Sequence, residues 1–306
     1  MICISILIFL LYICSCSFSE VINISKLELS SPGEVIILSV DSSDYRSFYA
    51  KVSYNDELRF PFYPYSNKSV SIVPVPIQVS SQEVKVEVLK NGRLVFSNYV
   101  KLSYLDYLKK EKPKMVKLTK KSKNILSNTE TILKDINYIY TKITNIDFYG
   151  FYNTNFGGFM LPSTNSITSR FGVSRRYPNK IRYHNGVDFS ADPDDNVYCV
   201  SDGIVVLSSN FLANGETIYI YHGYGIISSY FHLDKRFVNE NDFVKKGQVI
   251  GKMGQTGIVT GPHLHLGMYV LGVNGYIPID PLKFVSLDGQ NKVFVINLLG
   301  SGSAFD

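Results

Sequence analysis

Gly254-Gln255-Thr256-Gly257-Ile258-Val259-Thr260-Gly261-Pro262-His263-Leu264-His265 ends on two imidazoles two positions apart, behind a run broken by glycine and proline. On a strand, side chains two apart share a face, so His263 and His265 can address one point. A second pair lies upstream: His184-Asn185-Gly186-Val187-Asp188 sets an imidazole and a carboxylate four apart, again an even spacing. All five histidines, His184, His222, His232, His263 and His265, fall between positions 184 and 265 of a 306-residue chain. A random scatter would rarely confine them so. Zinc accepts such a mixture of His nitrogen and Asp oxygen, and three protein ligands plus water make a catalytic site rather than a structural one.

The surroundings read as strands. Ile204–Leu207, Thr217–Tyr221, Ile226–Phe231 and Val249–Lys252 are short, rich in β-branched or aromatic residues, and separated by Gly, Asn and Asp, with a turn at Asn214-Gly215. This predicts an antiparallel β catalytic domain over residues 158–290, followed by a tail at 291–306. Residues 20–104 form a second β segment. Val84, Val86 and Val88 alternate with Lys85 and Glu87, Asn91-Gly92 signals a hairpin, and Leu94 and Phe96 supply the returning strand. Val35–Val40 and Val70–Val79 are further strands, the latter expected at an edge because Pro74 and Pro76 cannot donate to a ladder. A small N-terminal β-sandwich without His or Cys is the expectation. The fold class is therefore mainly β, with a helical connector over 105–146. There Leu118, Ile125, Ile132, Ile136, Ile139 and Ile143 recur at spacings of three, four and seven. Its first part carries eight lysines between Lys109 and Lys123. A solvated helix face is the simpler reading of them, and a surface for anionic polymer or lipid head groups the other. Pro113 falls before the helix.

Three elements in order resemble the lysostaphin-type (LytM-domain) zinc endopeptidases of bacterial cell wall. They are His184-x-x-x-Asp188, the Tyr230-x-His232-Leu233 element, and the run from Gly254 to His265 quoted above. Val244–Gly251 and Asp280-Pro281 extend the likeness, which covers residues 160 to 285. The resemblance implies that His184, Asp188 and His265 are the zinc ligands and that His232 and His263 are the catalytic histidines beside the metal. His222 is read as structural. Leu266-Gly267 stands where the family commonly has an aromatic residue and Glu, a departure that bears on substrate fit rather than on the metal.

Mechanism follows from these residue types. Zinc held by two neutral His and one Asp lowers the pKa of water and polarises a carbonyl. Imidazole ordinarily titrates near neutral pH, which suits a residue type asked to take a proton and stabilise an oxyanion, with the division of labour between His232 and His263 left open. Cys199 has no catalytic partner nearby and, in the apolar run Val197–Val200, reads as core.

Composition agrees. The chain is 45% hydrophobic and 19% charged, as a folded globular protein is, and its net charge of +5 favours an anionic surface such as cell wall. No basic motif of a nucleic-acid module is present, so no nucleic-acid partner is expected. Met1 to Phe18 is apolar and uncharged, and Ile6–Ile13 has the length of a signal-peptide h-region, although no Lys or Arg precedes it. Residues 1–19 are read as a signal peptide. Ile13-Cys14-Ser15-Cys16 resembles a relaxed lipobox, so a lipid anchor through Cys16 and simple cleavage are both open.

The expectation is an exported periplasmic or cell-envelope monomer with one zinc, hydrolysing peptide stems or cross-links of peptidoglycan. A catalytically silent regulator of other wall hydrolases is the alternative, against which the complete ligand set argues. A binding module with structural zinc would not need the two additional histidines.

Overall fold

A computed structural model describes residues 21–284 apart from 54–56, 106–107, 109–111, 148, 151–157, 178–179 and 193. The expected signal segment, Cys16 and the 291–306 tail lie outside the described residues. The fold is mainly β.

The first 80 described residues build two sheets. One is ordered β1 (Ile22–Ile24), β3 (Val35–Val40), β7 (Lys68–Pro74), β6 (Tyr63–Tyr65). The other is ordered β2 (Glu28–Leu29), β9 (Arg93–Leu102), β8 (Glu83–Lys90), β4 (Phe48–Ser53), β5 (Glu57–Pro61). Val84, Val86 and Val88 are fully buried, while Lys85 ion-pairs with Glu87 on the other face, which is the alternation the sequence carries. Asn91 and Gly92 both have positive φ, 48° and 79°, as a type I′ hairpin turn requires. One expectation fails: β7 is not an edge strand but lies between β3 and β6. It escapes the proline penalty because Pro74 is its last residue and Pro76 lies beyond it.

Among the described residues the helical connector consists of a short strand, β10 (Lys114–Met115), and two helices, α1 (Lys120–Ser127) and α2 (Thr129–Thr144). Thr119 caps α1 and Asn128 caps α2 through side-chain oxygens. The chain folds back, so no distance opens between the two β regions. Of the apolar stripe, Ile139 and Ile143 bury against Leu207, Tyr219 and Tyr269. Ile136 stays 51% exposed, so the stripe is only half used.

The second β region is an antiparallel sheet ordered β11 (Ile167–Ser169), β14 (Gly186–Ser190), β22 (His263–Gly272), β18 (Ile226–Leu233), β17 (Gly215–Tyr221), β16 (Gly203–Phe211), β20 (Phe243–Val244), with β23 (Gly275–Ile279) also on β22. Two small sheets flank it: β10, β12 (Ser174–Tyr177), β13 (Lys180–Tyr183), and β15 (Asn196–Tyr198), β21 (Val249–Lys252), β19 (Lys235–Arg236). The sandwich docks on the far end of β22. Val273 N–H donates to the Arg59 carbonyl at 2.7 Å, Asp280 N–H to the Gly33 carbonyl at 3.1 Å, and Tyr63 packs edge-on against Tyr224. One hydrophobic core runs through both regions. His265 lies seven residues from Gly272 along β22, roughly 23 Å at the rise of a strand.

Candidate metal centre

The register of three adjacent strands assembles the site. Asp188 of β14 stands opposite His265 of β22, and His265 stands opposite Phe231 of β18, so one row crosses the sheet on one face. His263, two residues along, shares that face opposite Ser190. His184 precedes β14, its backbone tied to Val173 and Gly172. Gly186 permits the close packing: a Cβ there would come within 2.4 Å of the Leu266 carbonyl and 2.6 Å of His265 Nε2.

His232 reaches the same space by a different route. As the neighbour of Phe231 it would point through the opposite face of a regular strand. Instead the pairing of β17 with β18 shifts register between Glu216 and Ile218, and His232 adopts φ 63°, a left-handed conformation rare for a residue with a Cβ. Both Phe231 and His232 then touch the site. The Phe231 ring stacks on His265 at 5.2 Å, and the rings of His232 and His263 lie 4.8 Å apart.

His184 Nε2, His265 Nδ1 and Asp188 Oδ1 form a nearly equilateral triangle: 3.0 Å between the nitrogens, and 3.0 and 2.9 Å from them to the oxygen. Tetrahedral coordination with bonds of about 2.0–2.1 Å separates donors by about 3.3 Å, so these atoms already approximate one face of a tetrahedron. The donor chemistry also asks for a cation. His184 Nδ1 lies 2.9 Å from the Arg170 carbonyl, which accepts its hydrogen and leaves a lone pair on Nε2. That lone pair faces a carboxylate oxygen at 3.0 Å, two acceptors with no hydrogen between them. The residues fit a metal ion.

Arg175 completes the charge arrangement. Its Nη2 donates to Asp188 Oδ2 at 2.6 Å and to Ser169 Oγ at 2.9 Å, and Ser169 Oγ reaches His184 Nδ1 at 3.2 Å. Burial would raise the Asp188 carboxyl, but the imidazoles of His184 and His265 against it overcome this and hold the group well below the carboxylate range. Burial lowers His265 to about 4. It lowers His232 to about 3, helped by the neighbouring His263 and His265. Nδ1 of His232 donates to the Thr256 carbonyl at 2.9 Å and Nδ1 of His263 to the Gly261 carbonyl at 2.8 Å, so each presents a bare Nε2.

The triad opens into a groove of about 660 Å³. Lys114, Val116, Lys117, Ile258, Thr260 and Pro262 are among the residues that line it. None of the described lining residues comes from the sandwich.

The histidines read from the sequence divide cleanly. His184, His232, His263 and His265 come together with Asp188. His222 does not: it is fully buried elsewhere, with Nδ1 on the Asp202 carbonyl and Nε2 accepting from the Ser228 hydroxyl, both at 2.8 Å. Cys199 is buried, and burial pushes its thiol up to about 12, out of nucleophile range. Sequence reasoning missed Arg175, Ser169 and Thr256, which carry no spacing signal. It also missed Phe231, although that residue sits inside the Tyr230-x-His232 element. Lys114 and Lys117, read as part of a solvated helix face, lie outside both helices and line the groove.

The site is thus a His–Asp–His group of metal-type donors on an antiparallel sheet, flanked by two further histidines. Residues 182–281 match the family model described as Peptidase family M23. Peptidoglycan DD-endopeptidase ShyC of Vibrio cholerae serotype O1 is 39% identical over 110 residues, 35% of this chain and 25% of that protein. DD-carboxypeptidase/endopeptidase Mpg of Neisseria gonorrhoeae is 34% identical over 119 residues, 38% of this chain and 26% of that protein. The chain thus spans about a quarter of the length of these curated relatives. A crystal structure described as a peptidase M23 from Pseudomonas aeruginosa superposes with a TM-score of 0.57 at 21% identity, covering 85% of this chain and 96% of that one. At that identity the likeness is one of fold.

Proposed function

We propose that the chain is a zinc-dependent endopeptidase that hydrolyses peptide stems or cross-links of bacterial peptidoglycan, with His184, Asp188 and His265 as ligands and His232 and His263 as catalytic residues. The observation that carries this reading is the convergence of three metal-type donors and two bare imidazole Nε2 atoms at the floor of one groove. Relatives named as peptidoglycan DD-endopeptidases support the choice of substrate. Zinc at the triad supplies Lewis acidity towards a scissile carbonyl and towards water.

The remaining work falls to the chain's own groups. Arg175 neutralises the outer oxygen of Asp188 and holds the inner one towards the metal. The Arg170 carbonyl fixes the tautomer of His184. The Thr256 and Gly261 carbonyls do the same for His232 and His263, so that their Nε2 atoms can accept a proton from water and return it to the leaving amine. Phe231 covers one face of His265 and keeps water off it. The groove, about 660 Å³ in volume, offers room for a peptide beside these groups. Among the described residues no helix is long and apolar enough to cross a membrane. The reading requires a periplasmic or cell-envelope location, where the polymer lies.

The test is digestion of purified peptidoglycan by the zinc-loaded chain, with mass spectrometry of the products, beside His265→Ala. Fragments cut at a peptide bond are expected from the wild type, and loss of both metal and fragments from the variant. An intact polymer in the presence of a full complement of zinc would instead mark a silent regulator. Zinc content unchanged by His265→Ala would overturn the ligand assignment.

A further inference from the structure

The groove has a wall that the family match does not cover. Lys114–Leu118 precede residue 182 by more than sixty positions, yet they border the site. Two ties hold them there. β10 pairs in parallel with β12, Lys114 beside Arg175 and Met115 beside Arg176, and Val116 N–H donates to the Arg176 carbonyl at 3.1 Å. Just beyond, the buried Ser122 hydroxyl at the start of α1 donates to the Val259 carbonyl at 2.8 Å. The segment that borders the groove is therefore fixed at both of its ends.

Its charges lack partners in the groove. Lys114 and Lys117 are exposed, and the only described carboxylate lining the groove is Asp188, already engaged by His184, His265 and Arg175. Lys114 also stands directly beside Arg175 in register. The Arg175 guanidinium is taken up by Asp188 and Ser169, so the exposed Lys114 ammonium adds positive charge beside an ion pair that is already complete. In a concave site with low-dielectric walls such charges concentrate the field on whatever occupies the groove. An ammonium on a flexible stem suits a carboxylate as a point charge.

We propose that Lys114 and Lys117 form an anion subsite of the groove that takes a free carboxylate of the substrate peptide, so that the site prefers carboxylate-bearing stems to amidated ones. The proposal rests on the peptidase reading for the identity of its ligand, and it is a statement about binding that can be tested apart from cleavage.

The probe is a fluorescein-labelled wall-stem tetrapeptide with free carboxylates, beside the same peptide with every carboxylate amidated. Binding to the full zinc-loaded chain is followed by fluorescence anisotropy, and cleavage of unlabelled cross-linked versions by chromatography. The wild type is expected to bind the carboxylate form about 10-fold more tightly, a preference that weakens with added salt. Lys114→Gln combined with Lys117→Gln should erase the preference by raising Kd and KM for the carboxylate form alone, with kcat and zinc content kept. Arg at both positions should restore it. Equal affinity of the wild type for the two peptides, or no measurable binding of either, overturns the subsite, as does a preference that survives the double Gln variant. Faster cleavage of both forms by the double variant also overturns it, since the segment would then be an obstruction. Discrimination in binding without cleavage of either form leaves the subsite standing and removes the peptidase reading.

Discussion

His222, just past the end of β17, and His232, near the end of β18, are both buried and serve opposite ends. At His222 both ring nitrogens are occupied, by the Asp202 carbonyl and the Ser228 hydroxyl, and the Phe159 ring packs edge-on at 5.4 Å. The backbone there is not left-handed. At His232 one nitrogen is tied to Thr256, the other is bare towards the groove, and the backbone sits at φ 63°. A histidine whose hydrogen bonds are complete stabilises a fold. One held in a strained conformation with an unused nitrogen is available for chemistry. The same residue type, buried to a similar degree, is told apart by its hydrogen bonds and its φ, not by its burial.

The largest expected effect breaks the pair apart by activity. His232→Ala should keep its zinc and lose about 10²- to 10⁴-fold in kcat/KM, as removal of a general acid or base does. His222→Ala should keep its turnover per folded molecule and instead lose about 1–3 kcal/mol of stability, because a buried carbonyl and hydroxyl are left unsatisfied. Wall digestion, metal analysis and urea titration of the two variants measure this. Comparable turnover losses in both would erase the distinction.

Most of the site was legible in the sequence because metal donors come in few types and strand periodicity fixes which of them share a face. The pairs His184–Asp188 and His263–His265 stood out by their even spacings, while their division into ligands and neighbours came from the resemblance. His232 was legible only through resemblance, since alternation from Phe231 points it the wrong way and no periodicity foretells a bulge. Arg175 was invisible because its partner Asp188 is thirteen residues away across β13, and nothing in Arg175-Arg176 says which guanidinium turns inward. In the fold, Val84-Lys85-Val86 and Asn91-Gly92 act locally and read correctly. The connector read as helical, but its path did not show: an apolar stripe says that a helix has a buried face, not that the chain doubles back to bury it. Pro74 misled for a similar reason. Its effect depends on whether it ends a strand or interrupts one, which is settled by where β7 stops pairing.

A second contrast concerns pH. Burial lowers His222 to about 4 in the folded chain against an ordinary value of 6.5. Above pH 6.5 neither state binds the proton and the stability is fully present. As pH falls towards 4 the unfolded chain takes up the proton and the folded chain does not, so stability is lost across that window, by about 3 kcal/mol in all. His222→Gln should be less stable than the wild type at pH 7 yet decline less between pH 6.5 and 4. Denaturant midpoints at several pH values read this directly, and parallel declines in the two proteins would show that His222 does not stay neutral in the fold.

The smallest effect isolates the backbone. A left-handed conformation costs an L-residue about 1–2 kcal/mol and costs glycine almost nothing. At position 232, therefore, His232→Gly should be more stable than His232→Ala by about 1 kcal/mol, although both lack the ring and are equally inactive. At position 222 the order should reverse, His222→Ala exceeding His222→Gly by about 0.5–1 kcal/mol, because there glycine only adds freedom to the unfolded chain. Comparing Gly with Ala at each site cancels the loss of the imidazole and its hydrogen bonds, so what remains is the local φ preference. Urea titrations at a fixed free zinc concentration keep the contribution of the metal constant across all four variants. An order that fails to invert between the two positions would mean that His232 reaches the groove without strain, and that the bulge in β18, rather than a left-handed residue within it, is what turns the ring towards the metal.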